Sequence, residues 1–311
     1  MAASLPERPS RVANVINNKT SRPASEIPTK EQCASLSRRI RSRMAEIQEI
    51  RAVFASPLWA DDQYLKTFNS TLHQLSVNRL LSSLDHLQLA AHSLEHDDGA
   101  LVYSQYSLIR TALATASAAL WLVRGDIDQR RSRALNLASY DLDQQVKFAR
   151  SLLDAPDRRD PRNDALREEC QAVASGAKQR FDAMYEAYQS IPVNGHIKIS
   201  TPRDLRRFGE TDAIIEIGDY LQQRNQISDK SELLLQYRIM SGYVHGLIWS
   251  TYSGSKVRNY HGDKSAMVEL KGNPSNIYKG IKTAFVVATA AQTRLVELAG
   301  HPESSAPGRP H

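Results

Sequence analysis

Cysteine is almost missing from this chain. There are two, Cys33 and Cys170, in 311 residues, and neither sits in a CxxC pair. That excludes a disulfide framework and a cysteine-based zinc finger, and it predicts a reducing compartment. Aromatics are sparse at 7%, and Gly (14) and Pro (13) are unremarkable in number, which excludes collagen-like and low-complexity classes. Long hydrophobic runs are also missing. The longest low-charge apolar stretch, Ala112 to Val123, falls short of the roughly 20 residues a bilayer requires. The opening MAASLPERPSRVANV has no apolar core of a signal peptide. A cytoplasmic protein with no membrane partner is expected. No GxGxxG or GxxxxGK[ST] provides a phosphate loop, and HExxH and GxSxG do not occur. No cofactor and no metal are therefore predicted.

What is present is ordinary globular composition, with 41% hydrophobic and 24% charged residues, enough for a sizeable core. The net charge of +6 has a location. Residues 1 to 45 hold nine Lys/Arg against three Glu, so this arm carries the whole excess. A basic arm can track phosphates without reading sequence, but the same charges serve equally as a solvated tail and the polar face of a helix. Few aromatics lie near it, so no base-stacking platform is suggested.

Residues 1–28 carry four Pro and no apolar period, and they read as a disordered basic arm. Thr29 and Gln32 form a capping-box pattern that opens a helix running to about Phe54, with Ser56-Pro57 as its stop. A second helix is expected from Asp61 to about Glu95, stopped at Asp97-Asp98-Gly99. The Ala-rich third, Ser104 to Val123, should be buried on several sides. Further helices are predicted at about Asp126–Leu153, Ala165–Tyr188, a short one after Thr201-Pro202, Asp212–Gln223, Lys230–Trp249 and Ser275–Leu298. A loop, DAPDRRDPRND, follows the fourth of them, and MVEL could belong to one short strand pair. The fold class is all-α, a multi-helix bundle with long helices and at most one strand pair. The division expected is an N-terminal half over 29–190 and a C-terminal half over 191–300, meeting at Ile191-Pro-Val-Asn-Gly-His, with a disordered tail over 301–311.

His92 and His96 lie four apart and would share a helix face, with Asp97 or Asp98 as a third metal ligand; two exposed histidines at a helix C-terminus are the simpler reading. The acidic pair Asp61-Asp62 is explained by capping. One constellation carries chemistry. In QYRIMSGYVHGLIWS, Arg238, Ser241 and His245 have offsets of zero, three and seven, which puts them on one helix face; Ile239, Tyr243 and Leu247 are left for the core. An arginine fork can hold a phosphodiester, and a histidine titrates near neutral pH. Together they suit metal-free RNA cleavage, His245 acting as general base or acid and Arg238 stabilising the developing charge. In the bland reading Arg238 pairs with a buried carboxylate and His245 hydrogen-bonds across the bundle. Arg79 and His86 repeat the same spacing in NRLLSSLDH.

The segments LDHLQLAAHSL, YSQYSLIRTALATASAALWLVRGDIDQRRSRALNL and YRIMSGYVHGLIWS resemble a group of bacterial helical proteins, and the last resembles the R-x4-6-H signature of HEPN (higher eukaryotes and prokaryotes nucleotide-binding) domains. The resemblance implies a metal-independent ribonuclease or RNA-binding protein of defence, toxin or stress biology, dimeric, with the Arg-His pairs at the interface. RNA and a second copy of the chain are the partners it implies. Similar sequences carry Glu where this chain has Ala114, which weakens the catalytic implication. Asp85, His86 and Arg110 remain as a supporting polar network, for bracing as much as for catalysis. The rival class is a non-catalytic helical scaffold in which Arg238 and His245 form a structural pair. A regulator with a DNA-contacting arm finds no helix-turn-helix spacing.

Overall fold

A computed structural model describes residues 27–96, 102–154, 164–192, 199–247, 250, 256–259, 266–269 and 273–300. The arm up to residue 26, the Asp97-Asp98-Gly99 stop, the loop over 155–163, most of the Ile191–His196 segment and the tail over 301–311 lie outside the described residues. Among the described residues, ten α-helices make an all-α bundle, joined by one 3-10 turn and one two-stranded antiparallel ribbon.

Helix α1, Lys30–Gln48, opens on the expected capping box: Gln32 N–H donates to Thr29 Oγ1 at 3.2 Å and Thr29 N–H to Gln32 Oε1 at 2.9 Å. It buries Cys33, Leu36, Ile40 and Ile47. It stops at Gln48, well before Phe54. Beyond it Ala55 takes a left-handed φ of 62°, and Val53 N–H bonds the Ala299 carbonyl at 3.0 Å, so this stretch is a crossing strap rather than helix. Pro57 then begins a helix instead of ending one. Ser56 caps Trp59 N–H at 3.2 Å, and Pro57, which has no N–H to satisfy, sits in the first turn of α2, Pro57–Leu65.

The single helix expected from Asp61 to Glu95 is therefore two. A 3-10 turn, Lys66–Phe68, ends on Asn69 at φ 53°, and α3 runs Leu72–His96. Asp62 accepts from His73 N–H at 3.0 Å, and Thr71 Oγ1 from Gln74 N–H at 3.0 Å, so both serve the α3 N-terminus.

Helix α4, Val102–Val123, is the centre. Over Tyr103–Val123, 21 residues, it is long and apolar enough to cross a membrane, longer than the stretch picked out from sequence, but 72% of its most apolar window is buried inside the fold. Ile109, Ala112, Ala116, Ala119, Leu120 and Leu122 are all fully buried, and the alanines let α3, α8, α9 and α10 approach from different sides. Each buried Leu or Ile contributes about 1.5–3 kcal/mol of transfer free energy. Gly125, at φ 89°, turns the chain into α5, Ile127–Asp154, which packs on α6, Asp164–Ser190.

Thr201 caps the short α7, Pro202–Leu205; α8 is Glu210–Gln223 and α9 is Lys230–Val244. The ribbon pairs β1, Lys256–Asn259, with β2, Ala266–Glu269, which takes in most of MVEL. Helix α10, Pro274–Ala299, starts on Asn273 and ends at Gly300 with φ 79°. It packs against α4 and α3, so helices from both sides of residues 193–198 share one apolar core.

Candidate functional site

Helix α9 starts on Asp229, whose carboxylate accepts from Ser231 N–H at 2.8 Å, and is held to the core by Leu233, Tyr237, Met240 and Tyr243. Tyr243 stacks on Tyr106 of α4, with ring centroids 4.5 Å apart and planes 17° from parallel. The helix ends at Val244, not Trp249. Gly246 adopts φ 62°; Leu247 N–H reaches the Gly242 carbonyl at 2.8 Å and Gly246 N–H the Tyr243 carbonyl at 3.0 Å, the paired bonds of a Schellman C-cap. Leu247 consequently lies outside the helix and is 44% exposed, not part of the core face.

His245 is the residue just past the helix. It keeps the helical phase, because its N–H still bonds the Ser241 carbonyl at 3.1 Å. Arg238 and His245 are both exposed, and Ser241 is half-buried between them. Neither Arg238 nor His245 has a side-chain hydrogen bond or ion pair among the described residues. Among the described residues nothing bonds to this face; exposed Leu235 lies to one side of it and exposed Val244 to the other.

The supporting residues separate. Arg110 does reach α9, but at Tyr237: its Nη2 donates to Tyr237 Oη at 2.9 Å and to Glu210 Oε2 at 3.0 Å, while the Tyr237 hydroxyl donates to the same carboxylate oxygen at 2.7 Å. Burial, and next the hydrogen bond to Glu210, raise the Tyr237 pKa and keep the phenol a donor. His86 bonds within its own helix, Nδ1 to the Ser82 carbonyl at 2.7 Å, and Asp85 is exposed; neither has a bond to α9. The second Arg-His spacing is consumed structurally. Arg79 Nη2 holds both carboxylate oxygens of Asp141 at 3.0 Å, tying α3 to α5.

Sequence reasoning missed the role of RRSR at the start of α5. Arg130 Nε and Arg131 Nε converge on buried Asp61, at 2.7 and 3.2 Å. Arg133, 3% exposed, donates to the Trp121 and Arg124 carbonyls at 3.1 and 3.0 Å and to Glu216 Oε2 at 3.1 Å. Arg124 bonds the same Glu216 oxygen. Burial first, then the neighbouring Arg124 charge, pull the Arg133 pKa down to about 10 against the opposing pull of Glu216. These arginines close α4 and fasten α5 to α2 and α8. A cleft of about 630 Å³ opens beside them, lined by Trp121, Asn136, Asp204, Arg207, Phe208 and Glu216 among others. A second, of about 430 Å³, lies between α9 and α10 around Asp229, Glu232, Tyr278, Lys279 and Lys282.

One group of side chains has metal-ligand character. His92, Glu95 and His96, in the last turns of α3, place three donor atoms within 4.8 Å of one another. Glu95 takes the position that Asp97 or Asp98, outside the described residues, was expected to fill. Compared with known protein families, with curated proteins and with solved structures, the chain shows no match.

Proposed function

We propose that this chain is a HEPN-like RNA-acting protein and that the Arg238–Ser241–His245 face is a metal-independent endoribonuclease site. The observation that carries the reading is the contrast between the two Arg-His spacings. Arg79 and His86 are spent on Asp141 and a helix carbonyl. Arg238 and His245 stand exposed and without such bonds on one face of an anchored helix. Among the described residues neither has the buried partner that the structural-pair alternative requires.

In this reading the Arg238 fork binds the non-bridging oxygens of a phosphodiester. His245 removes the ribose 2′-OH proton, the 2′-oxygen attacks the adjacent phosphorus, and the 5′-oxygen departs with a proton from water or from a second His245. The products are a 2′,3′-cyclic phosphate and a free 5′-hydroxyl. Because Arg238 and His245 are exposed, the second copy implied by the HEPN resemblance closes over them, seated at Leu235 on the Arg238 side of the helix. Cleavage of single-stranded RNA in excess chelator, with wild type beside His245→Ala, tests the proposal. The expected result is chelator-resistant cleavage that falls about 10² to 10⁴-fold in the variant. Equal cleavage by both proteins, or none by wild type, removes the assignment.

A further inference from the structure

We propose that the C-terminal end of α3 is a binding site for a borderline divalent transition-metal ion, of the Zn²⁺ or Cu²⁺ kind, held by His92, Glu95 and His96. The spacing i, i+3, i+4 puts the three side chains on one helix face. Their donor atoms lie within 4.8 Å of one another. On a tetrahedral ion with bonds of about 2.1 Å, donors sit about 3.4 Å apart, so the three need to close by roughly an ångström. Nothing holds them back: His92 and His96 are exposed, and none of the three side chains has a hydrogen bond or ion pair among the described residues. The two imidazoles already lie together, with ring centroids 4.2 Å apart and planes at 76°.

Three further features favour a cation here. Two imidazoles and one carboxylate form a donor set that selects borderline metals over Mg²⁺ or Ca²⁺. The site lies at the carbonyl end of a 25-residue helix, where the dipole is negative. The turn that carries it is pinned: Gln105 of α4 donates to Ser93 Oγ at 2.7 Å. Three protein ligands leave positions for water or an incoming oxygen donor. The ion takes no part in the chemistry proposed at His245, although Tyr106, one residue after Gln105, stacks on Tyr243 and brings both sites to the same end of α4.

The test is calorimetric titration of the full chain, stripped with chelator, using ZnCl₂, on wild type, His92→Ala, His96→Ala and Glu95→Gln. The expected result is one Zn²⁺ per chain in wild type and at least about tenfold weaker binding in each variant. Circular dichroism should be unchanged, since both histidines are exposed. Electron paramagnetic resonance of the Cu²⁺ form gives a second readout, with nitrogen hyperfine structure from two imidazoles in wild type and none at this site in the double His variant. Absence of binding in wild type, or affinity and spectra that ignore all three substitutions, overturns the proposal.

Discussion

Glu216 is the only carboxylate that Arg124 and Arg133 both reach among the described residues, which makes Glu216→Gln a sharp perturbation. The substitution keeps size and one hydrogen-bond acceptor but removes the charge. Arg133, 3% exposed, would then be a buried cation with only the Trp121 and Arg124 carbonyls as acceptors and a like charge beside it. Removing one partner of a fully buried pair costs about 3–5 kcal/mol. Glu216 is 29% exposed and Arg124 20%, so water screens part of the effect. About 2–3 kcal/mol is the discounted expectation, or a fall of roughly 3–5 °C in the melting midpoint. Arg133→Met in the same background should recover much of the loss, because it removes the stranded cation. Urea unfolding of wild type, both single variants and the double variant closes the cycle. A Glu216→Gln cost below about 0.5 kcal/mol, or single effects that simply add, would refute the assigned role of this ion-pair cluster.

Two other substitutions probe the frame. Asn136 Nδ2 donates to the Leu205 and Arg207 carbonyls at 2.8 and 2.9 Å. Asn136→Asp turns a double donor into an acceptor facing two carbonyls and should lower stability by more than Asn136→Ala, itself about 1–3 kcal/mol, in denaturant titrations. Gly300→Ala meets both a φ of 79° and a new Cβ 3.1 Å from Ser56 Cβ, so a loss of about 1–2 kcal/mol is expected in thermal melts, and an unchanged midpoint would contradict the packing of α10 on the strap before α2.

Much of the architecture was legible because local chemistry decides it. Thr29 with Gln32, Thr201 with Pro202 and Gly300 mark helix ends whatever the rest of the chain does. The Ala-rich period of α4 announced a helix buried on several sides. What failed depended on distant partners. The early end of α1, at Gln48 rather than Phe54, goes with Val53 bonding Ala299, nearly the whole chain away. The arginines of RRSR carried no local sign of their role because Asp61 and Glu216, which absorb their charge, are remote in sequence. At the site, helical phase put Arg238, Ser241 and His245 on one face, but phase alone does not say which neighbour a face meets. Arg110 therefore went to Tyr237 and Glu210 instead. Gly246 was the overlooked sign that α9 ends before Trp249. Glu95, at i+3 from His92, shares the face of His92 and His96, a helical-phase signal present in the sequence that points to it before the aspartates that follow.

The proposed function rests on an exposed Arg-His face acting on phosphodiesters without a metal. The most direct measurement follows RNA cleavage in chelator by wild type, Arg238→Ala, Arg238→Lys and His245→Ala, with melting midpoints recorded on the same samples. Expected are cleavage by wild type, a loss of about 10² to 10⁴-fold in His245→Ala, only partial rescue of Arg238→Ala by Lys because the fork geometry is gone, and midpoints that barely move, since both side chains are exposed. Full cleavage by a folded His245→Ala protein, or wild type that leaves every RNA intact, contradicts it.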